Sequence, residues 1–197
     1  MPDEPFCCGA IVLAGGASSR LGQPKQLVTV DGESLLRRTV RLALESDCSP
    51  VVAVLGFRSA EMERELAGLA ALITIHEHWA EGMGTSLSHG MKSLLSEQPA
   101  PGHVLVLVCD QPLLDRSHLL SLLEKQRSGS PATASFYNGS PGVPAVFAAR
   151  YFPELLRLGG DQGARRFLRD IGKEVTLVDF PGGAFDVDFP EDLYQLK

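Results

Sequence analysis

Short apolar runs alternate with longer amphipathic stretches along most of the chain. Residues 10–14 (Ala-Ile-Val-Leu-Ala) are uninterrupted apolar sequence that stops at Gly15-Gly16, the pattern of a strand covered on both faces. Over 34–44, Leu35, Leu36, Val40 and Leu44 recur at helical spacing, with Arg37, Arg38 and Arg41 on the rest of the cylinder. A second strand is predicted at 51–55, closed by Gly56, then a helix over 59–66 with Met62 and Leu66 four apart. Residues 72–75 read as a third strand, and 84–95 as a helix whose Leu87, Met91, Leu94 and Leu95 share a face. The most strand-like segment, 104–108, stops at Cys109-Asp110, and a leucine-rich helix follows over 117–126.

This alternation predicts an α/β fold: a three-layer α/β/α sandwich around a mostly parallel, Rossmann-like sheet. Past Ser128 the pattern loosens. Strands are expected at 132–137 and 145–149 around a loop over 138–142, helices at 151–158 and 162–170, and a strand at 174–178. The chain closes with Asp186-Val187-Asp188 and a terminal helix opened by Pro190. No repeat or linker divides it, so residues 1–197 are expected to form one domain.

Composition narrows the functional classes. A 197-residue chain with 44% hydrophobic and 21% charged residues is ordinary globular sequence and excludes disorder, collagen and coiled coil as the dominant class. The formal net charge of −6 argues against duplex nucleic acid or anionic lipid as partner, since phosphate neutralisation supplies most of such affinity. Cys7, Cys8, Cys48 and Cys109 show no CxxC spacing, and no disulfide framework is expected. The acidic, proline-bearing stretch 1–5 is unlike a signal peptide, and the longest apolar run is far too short for a bilayer. A cytoplasmic protein is expected.

The chemistry concentrates in 13–25, Leu-Ala-Gly-Gly-Ala-Ser-Ser-Arg-Leu-Gly-Gln-Pro-Lys. Ligands of open α/β sheets bind at the carboxyl ends of strands, where this loop lies. Its glycines let backbone N–H groups approach phosphate oxygens, and Arg20 and Lys25 supply matching charge. It is neither a Walker A loop nor a dinucleotide GxGxxG. Gly15-Gly16 alone would read as a plain turn; the whole string favours a polyphosphate cradle. Asp110 ends the apolar strand and reads either as a carboxylate open to the crevice or as a loop or N-cap aspartate. Asp186 and Asp188 are two apart, so on a strand both point to one face and complete a metal site, although Asp188 also suits a helix start. An all-oxygen set of this kind suits Mg²⁺. Gly82 and Gly84 stand just before a helix, either as a helix-starting turn or as a loop that lays its backbone against a nucleobase. His76 and His78 share a strand face but lack a third zinc ligand. Trp79 reads as a core or loop aromatic. Cys109, Ser18 and Ser19 have no base in sequence to activate them, which disfavours a hydrolase.

The 13–25 string resembles the signature loop of the MobA-like nucleotidyltransferases, which join a nucleoside triphosphate to a phosphorylated acceptor. The likeness runs along nearly the whole chain, through the strings at 22–27, 81–87, Asp110-Gln111-Pro112, Gly142-Val143-Pro144, 160–165 and 186–192. Within that family these strings most resemble the molybdenum cofactor cytidylyltransferases. The resemblance implies that Leu13, Ala14, Gly15, Gly16, Arg20 and Lys25 surround the nucleotide, with Gly82, Met83 and Ser86 beside its base. Arg20, Lys25 and Asp110 would be catalytic, with Mg²⁺ on Asp110 and on Asp188 or Asp186. Gly142, Pro144, Asp161 and Arg165 would face the acceptor. Residues 1–127 would then be a nucleotide-binding half, and 128–197 an acceptor-binding, metal-completing half. The implied reaction moves CMP from CTP to the phosphate of molybdopterin cofactor. GMP transfer from GTP is the alternative, because Leu13-Ala14-Gly15-Gly16 follows the guanylyltransferase form where cytidylyltransferases more often read Leu-Ala-Ala-Gly. A third reading, of another class, is a carrier that hands the cofactor to a molybdenum hydroxylase.

Overall fold

The computed structural model describes residues 6–196; the acidic stretch 1–5 and Lys197 lie outside the described residues. The apolar run becomes β1 (Cys8–Ala14), followed by a short hairpin of β2 (Thr29–Val30) and β3 (Glu33–Ser34). Next come α1 (Leu35–Glu45), β4 (Val51–Leu55), α2 (Ser59–Glu65), β5 (Leu72–Ile75), α3 (Met83–Ser96), β6 (His103–Val108) and α4 (Arg116–Arg127). The remainder is β7 (Ala132–Tyr137), β8 (Ser140–Ala148), α5 (Phe152–Leu155), α6 (Ala164–Ile171) and β9 (Val175–Asp179). Side-chain caps set two helix starts: Ser34 Oγ accepts from the Arg37 N–H, and Asp115 Oδ1 from the His118 N–H.

One seven-stranded sheet holds the order β5-β4-β1-β6-β8-β7-β9. All its strands run one way except β8, which is antiparallel to both neighbours. From β1 the chain steps outward to β4 and β5, then returns to place β6 on the other side of β1. Loops leaving β1 and β6 therefore diverge and open a crevice at the carboxyl ends of those strands.

Both faces of the sheet are covered, which is why the central strands are apolar throughout. Ala10, Val12 and Ala14 pack with Leu36, Val40, Met62, Leu119 and Leu122 from α1, α2 and α4. Ile11 and Leu13 point the other way, toward Leu87, Met91 and Leu94 of α3 and Phe152, Leu155 and Leu168 of α5 and α6. Leu87, Met91 and Leu94 are fully buried, each contributing about 1.5–3 kcal/mol. Gly90 lets α3 approach closely, since a Cβ there would lie 2.7 Å from Val54 Cγ2 and 2.9 Å from Ile11 Cγ2.

Several elements differ from the sequence pattern. The expected loop 138–142 is a two-residue turn, with Asn138 and Gly139 both at positive φ (50° and 69°). Asn-Gly is the pair such hairpin turns favour, so β8 starts at Ser140, and a bulge at Ala134/Ser135 absorbs the irregularity. The helix expected at 151–158 is only the turn α5, preceded by a 3-10 turn at Ala149–Tyr151. The segment 186–188 forms no strand; the Val187 N–H donates to the Asp110 carbonyl (3.0 Å) just past β6, and Asp188 pairs with Lys25 and Arg20. The terminal helix is 3-10, Pro190–Leu196. His76 and His78 lie beyond β5: His76 pairs with Thr85 Oγ1 (3.1 Å) and stacks on His89. Among the described residues no group of three or more His, Cys, Asp and Glu could hold a metal ion, and no helix is long and apolar enough to cross a membrane.

Candidate active site

The crevice at the ends of β1 and β6 holds two adjoining cavities. The first, about 320 Å³, is walled by Leu13 to Gly16, Lys25, Gln26, Trp79, Gly82, Met83 and Ser86. The second, about 390 Å³, is walled by Gln111, Tyr137, Val143, Asp186 and the α6 arginines Arg165, Arg166 and Arg169. Leu13, Met83, Val108, Asp110 and Asp161 line both, so Asp110 stands where the cavities meet. A smaller hollow of about 150 Å³ continues from Gly16 past Ser18, Ser19 and Arg20 to Asp188.

The loop after β1 is tied down by its own side chains. Buried Gln26 donates through Nε2 to the carbonyls of Ala14 (2.9 Å) and Gly16 (2.7 Å). Ser18, at φ 52°, accepts from the Lys25 N–H at 3.1 Å. These bonds aim Lys25 inward. Its ammonium lies 2.5 Å from Asp110 Oδ2 and 3.2 Å from Asp188 Oδ1, while Arg20 Nη2 holds Asp188 Oδ2 at 3.1 Å. Burial works against the Lys25 charge, but the Asp110 charge and hydrogen bond outweigh it, so the amine is held above its ordinary pKa. Burial, then Asp110, push the Cys109 thiol up to about 12, which removes it as a nucleophile. Asp186 sits at the second cavity's rim, and desolvation followed by Asp110 push its carboxyl up to about 6.

The donor set fits a magnesium ion. Asp110 and Asp188 converge on one cation already, and Asp110 Oδ1 is buried with no hydrogen-bond partner. Magnesium asks for one or two carboxylates and keeps water and substrate phosphate as its other ligands.

On the α3 side, Gly82 adopts φ 120°, and the Gly84 N–H donates to the Gly160 carbonyl at 2.8 Å. Thr85 Oγ1 donates to the Gly82 carbonyl. Trp79 covers Gly15 and Gly56 and meets the Phe57 ring edge-on at 5.6 Å. In the second cavity Gln111 Nε2 donates to the Val143 carbonyl (3.1 Å) and Tyr137 Oη (3.3 Å). Arg165 lies 5.6 Å over the Tyr137 ring. None of Arg165, Arg166 and Arg169 has an ion-pair partner among the described residues.

Residues 10–175 match the family described as the MobA-like NTP transferase domain. The chain belongs to that family. It is 33% identical to nicotine blue oxidoreductase of Paenarthrobacter nicotinovorans, with 96% of each chain covered. It is 23% identical to the molybdenum cofactor cytidylyltransferase of Escherichia coli K12, over 95% of this chain and 94% of that protein. Rv0371c from Mycobacterium tuberculosis superposes with a TM-score of 0.82 at 23% identity, covering 98% of both chains, and shares the fold.

Most residues singled out in the sequence of this NTP transferase-family protein come together. Leu13 to Gly16, Lys25, Gly82, Met83, Ser86, Asp110 and Asp161 line the first cavity. Arg165 and Asp186 line the second, and Arg20 and Asp188 the small hollow. Gly142 and Pro144 do not reach the wall; Val143 between them does, while Gly142 abuts Tyr137 and the Pro144 carbonyl accepts from Ser135. Sequence reasoning missed Gln26, Gln111, Tyr137, Val143, Arg166 and Arg169, and read Trp79 only as a core or loop aromatic. Gln26, Gln111 and Val143 stand inside the family strings and were findable there. Tyr137, Arg166 and Arg169 carry no such signal.

Proposed function

We propose that this protein transfers CMP from CTP to the phosphate of molybdopterin cofactor and releases pyrophosphate. The observation that carries this reading is Lys25 lying across Asp110 and Asp188 where the two cavities meet. The triphosphate takes the first cavity, with Arg20 and Lys25 on its outer phosphates and the loop at Gly82, Met83 and Ser86 beside its base. The acceptor takes the second, its phosphate on Arg165 next to Tyr137. An ionised phosphate oxygen of the acceptor attacks the α-phosphorus, the bond to the β-phosphate oxygen breaks, and pyrophosphate leaves. The acceptor is already a monoester anion, so no general base is required. The work of the site is to bring two anions together and to neutralise the leaving group. Magnesium bound by Asp110 and Asp188 would supply part of that neutralisation. Likeness to the molybdenum cofactor cytidylyltransferase supports this acceptor and this nucleotide.

Three alternatives stand beside it. GTP replaces CTP if Gly15-Gly16 marks guanylyl specificity. A carrier delivers the cofactor to a molybdenum hydroxylase without transfer. The 33% identity to nicotine blue oxidoreductase favours a redox activity, although the loop after β1 is not a dinucleotide GxGxxG. The test is pyrophosphate release with Mg²⁺, each of the four nucleoside triphosphates and molybdenum-loaded molybdopterin. Release with CTP alone supports the proposal, and release with GTP moves it to the guanylyl branch. No release from folded protein refutes transfer to molybdopterin and leaves the carrier reading standing. Loss of nicotine blue colour in the presence of an electron donor then tests the redox reading.

A further inference from the structure

We infer that Lys25 is a resident cation that keeps the Asp110–Asp188 pair closed to a bare divalent ion. It yields the pair only to a metal that arrives on a triphosphate, so metal and nucleotide enter as one species. This rests on the nucleotidyltransferase reading and adds an order of binding to it.

The argument is one of charge and space. The Lys25 ammonium occupies the point on which both carboxylates converge, 2.5 Å from one and 3.2 Å from the other, with its side chain 19% exposed. Arg20 takes the remaining Asp188 oxygen. Asp110 and Asp188 are thus matched by two cations before any ligand comes. A bare divalent ion must displace Lys25 from both of the carboxylates that its side chain bonds among the described residues. Two like charges would then crowd one partly buried site, where Coulomb terms are large. A metal–triphosphate complex removes the conflict, since it still carries net negative charge. The carboxylates exchange the ammonium for the metal, and Lys25 exchanges the carboxylates for phosphate oxygens. The loop is built for such a swing. Gln26 and Ser18 fix the Lys25 backbone, leaving only the side chain to move.

The test uses Mn²⁺ as the spectroscopic probe, titrated by electron paramagnetic resonance with no nucleotide and no acceptor present. Lys25→Met is expected to bind Mn²⁺ at least about tenfold tighter than wild type, the scale on which one adjacent charge moves an ionic equilibrium. Wild type should gain at least that much when CTP is added. Lys25→Gln, which keeps a neutral hydrogen bond to Asp110, serves should the methionine variant fail to fold, and thermal melts of both report integrity. Equal or weaker Mn²⁺ binding by folded variants overturns the inference. So does a wild-type Mn²⁺ affinity that CTP leaves unchanged. Because no turnover is read, a protein silent in every transfer assay but showing the Lys25 effect loses the proposed acceptor and keeps this lock.

Discussion

Gly82→Ala tests whether the loop before α3 and the loop before α6 act as one piece. Gly82 lies at φ 120°, ψ 169°, a region open essentially to glycine alone, and an alanine there costs about 1–3 kcal/mol in backbone strain. Its Cβ would also fall 2.3 Å from the Gly160 oxygen and 2.4 Å from the Gly160 carbon. Both are main-chain atoms, so neither can rotate away. Restoring ordinary contact moves the 159–161 backbone by about 1 Å, enough to break the Gly84 N–H bond to that same carbonyl, worth about 0.5–1.5 kcal/mol. The expected cost is about 2–4 kcal/mol. At roughly 2–4 °C per kcal/mol for a chain of this size, the melting temperature should fall by about 4–16 °C. Should the loops part locally instead, the loss appears as faster hydrogen exchange at the Gly84 amide. The assays are urea unfolding with the m-value checked, and exchange read by mass spectrometry. A variant within 0.5 kcal/mol or so of wild type, with Gly84 as well protected as before, refutes the coupling.

Four further outcomes are expected. Asp110→Asn should fold and lower CMP transfer by about 10²–10³ in a single-turnover assay, whereas a pure carrier would still hand over its cofactor. Arg165→Ala and Arg169→Ala should each raise the acceptor KM while leaving the CTP KM unchanged, since both line only the second cavity. Buried His118, stacked on Phe180 and paired with Ser135, titrates at about 4, well below its ordinary 6.5, because burial disfavours its charge. The unfolded chain therefore takes up the proton first as pH falls: stability is intact above about pH 6.5 and drops by up to about 3 kcal/mol toward pH 4. Urea melts across that window should show the slope, flattened in His118→Gln. Gly15→Ala should fold with stability unchanged or raised by about 0.4–1 kcal/mol, because the new Cβ would rest 3.4 Å from Trp79 Cβ, an ordinary contact.

How much of this was legible in the sequence depended on whether a residue's neighbours are local. β1, β4 and β6 were plain because strands covered on both faces must be apolar at every position. β8 was read short because Ser140-Pro141-Gly142-Val143-Pro144 carries turn residues, and its pairing comes from β7 across an Asn-Gly turn rather than from its own propensity. Asp186 and Asp188 were grouped by a strand that does not form. The Val187 N–H bond to the Asp110 carbonyl holds the backbone there, and the two carboxylates go separate ways, Asp188 to Lys25 and Arg20, and Asp186 to the wall of the second cavity. Arg166 and Arg169 were invisible because an arginine on a short helix is ordinarily solvated; only the cavity beside α6 gives them a role.

The same contrast explains why the site is built where two loops nearly touch. A transfer between two anions fails if the anions can drift apart, so positioning carries the rate. In this fold the loop expected beside the base and the loop expected beside the acceptor share no secondary structure, yet Gly82 and Gly84 abut Gly159 and Gly160 with no room for a side chain between them. Met83 and Asp161, one from each loop, then line both cavities. The spacing of the two cavities is thereby set by main-chain contact, and under the proposed transfer that spacing would fix the distance between the donor and acceptor phosphates. Glycine at these positions follows from that closeness, and an alanine at Gly84, whose Cβ would fall 2.7 Å from the Gln162 oxygen, should part the cavities as Gly82→Ala does.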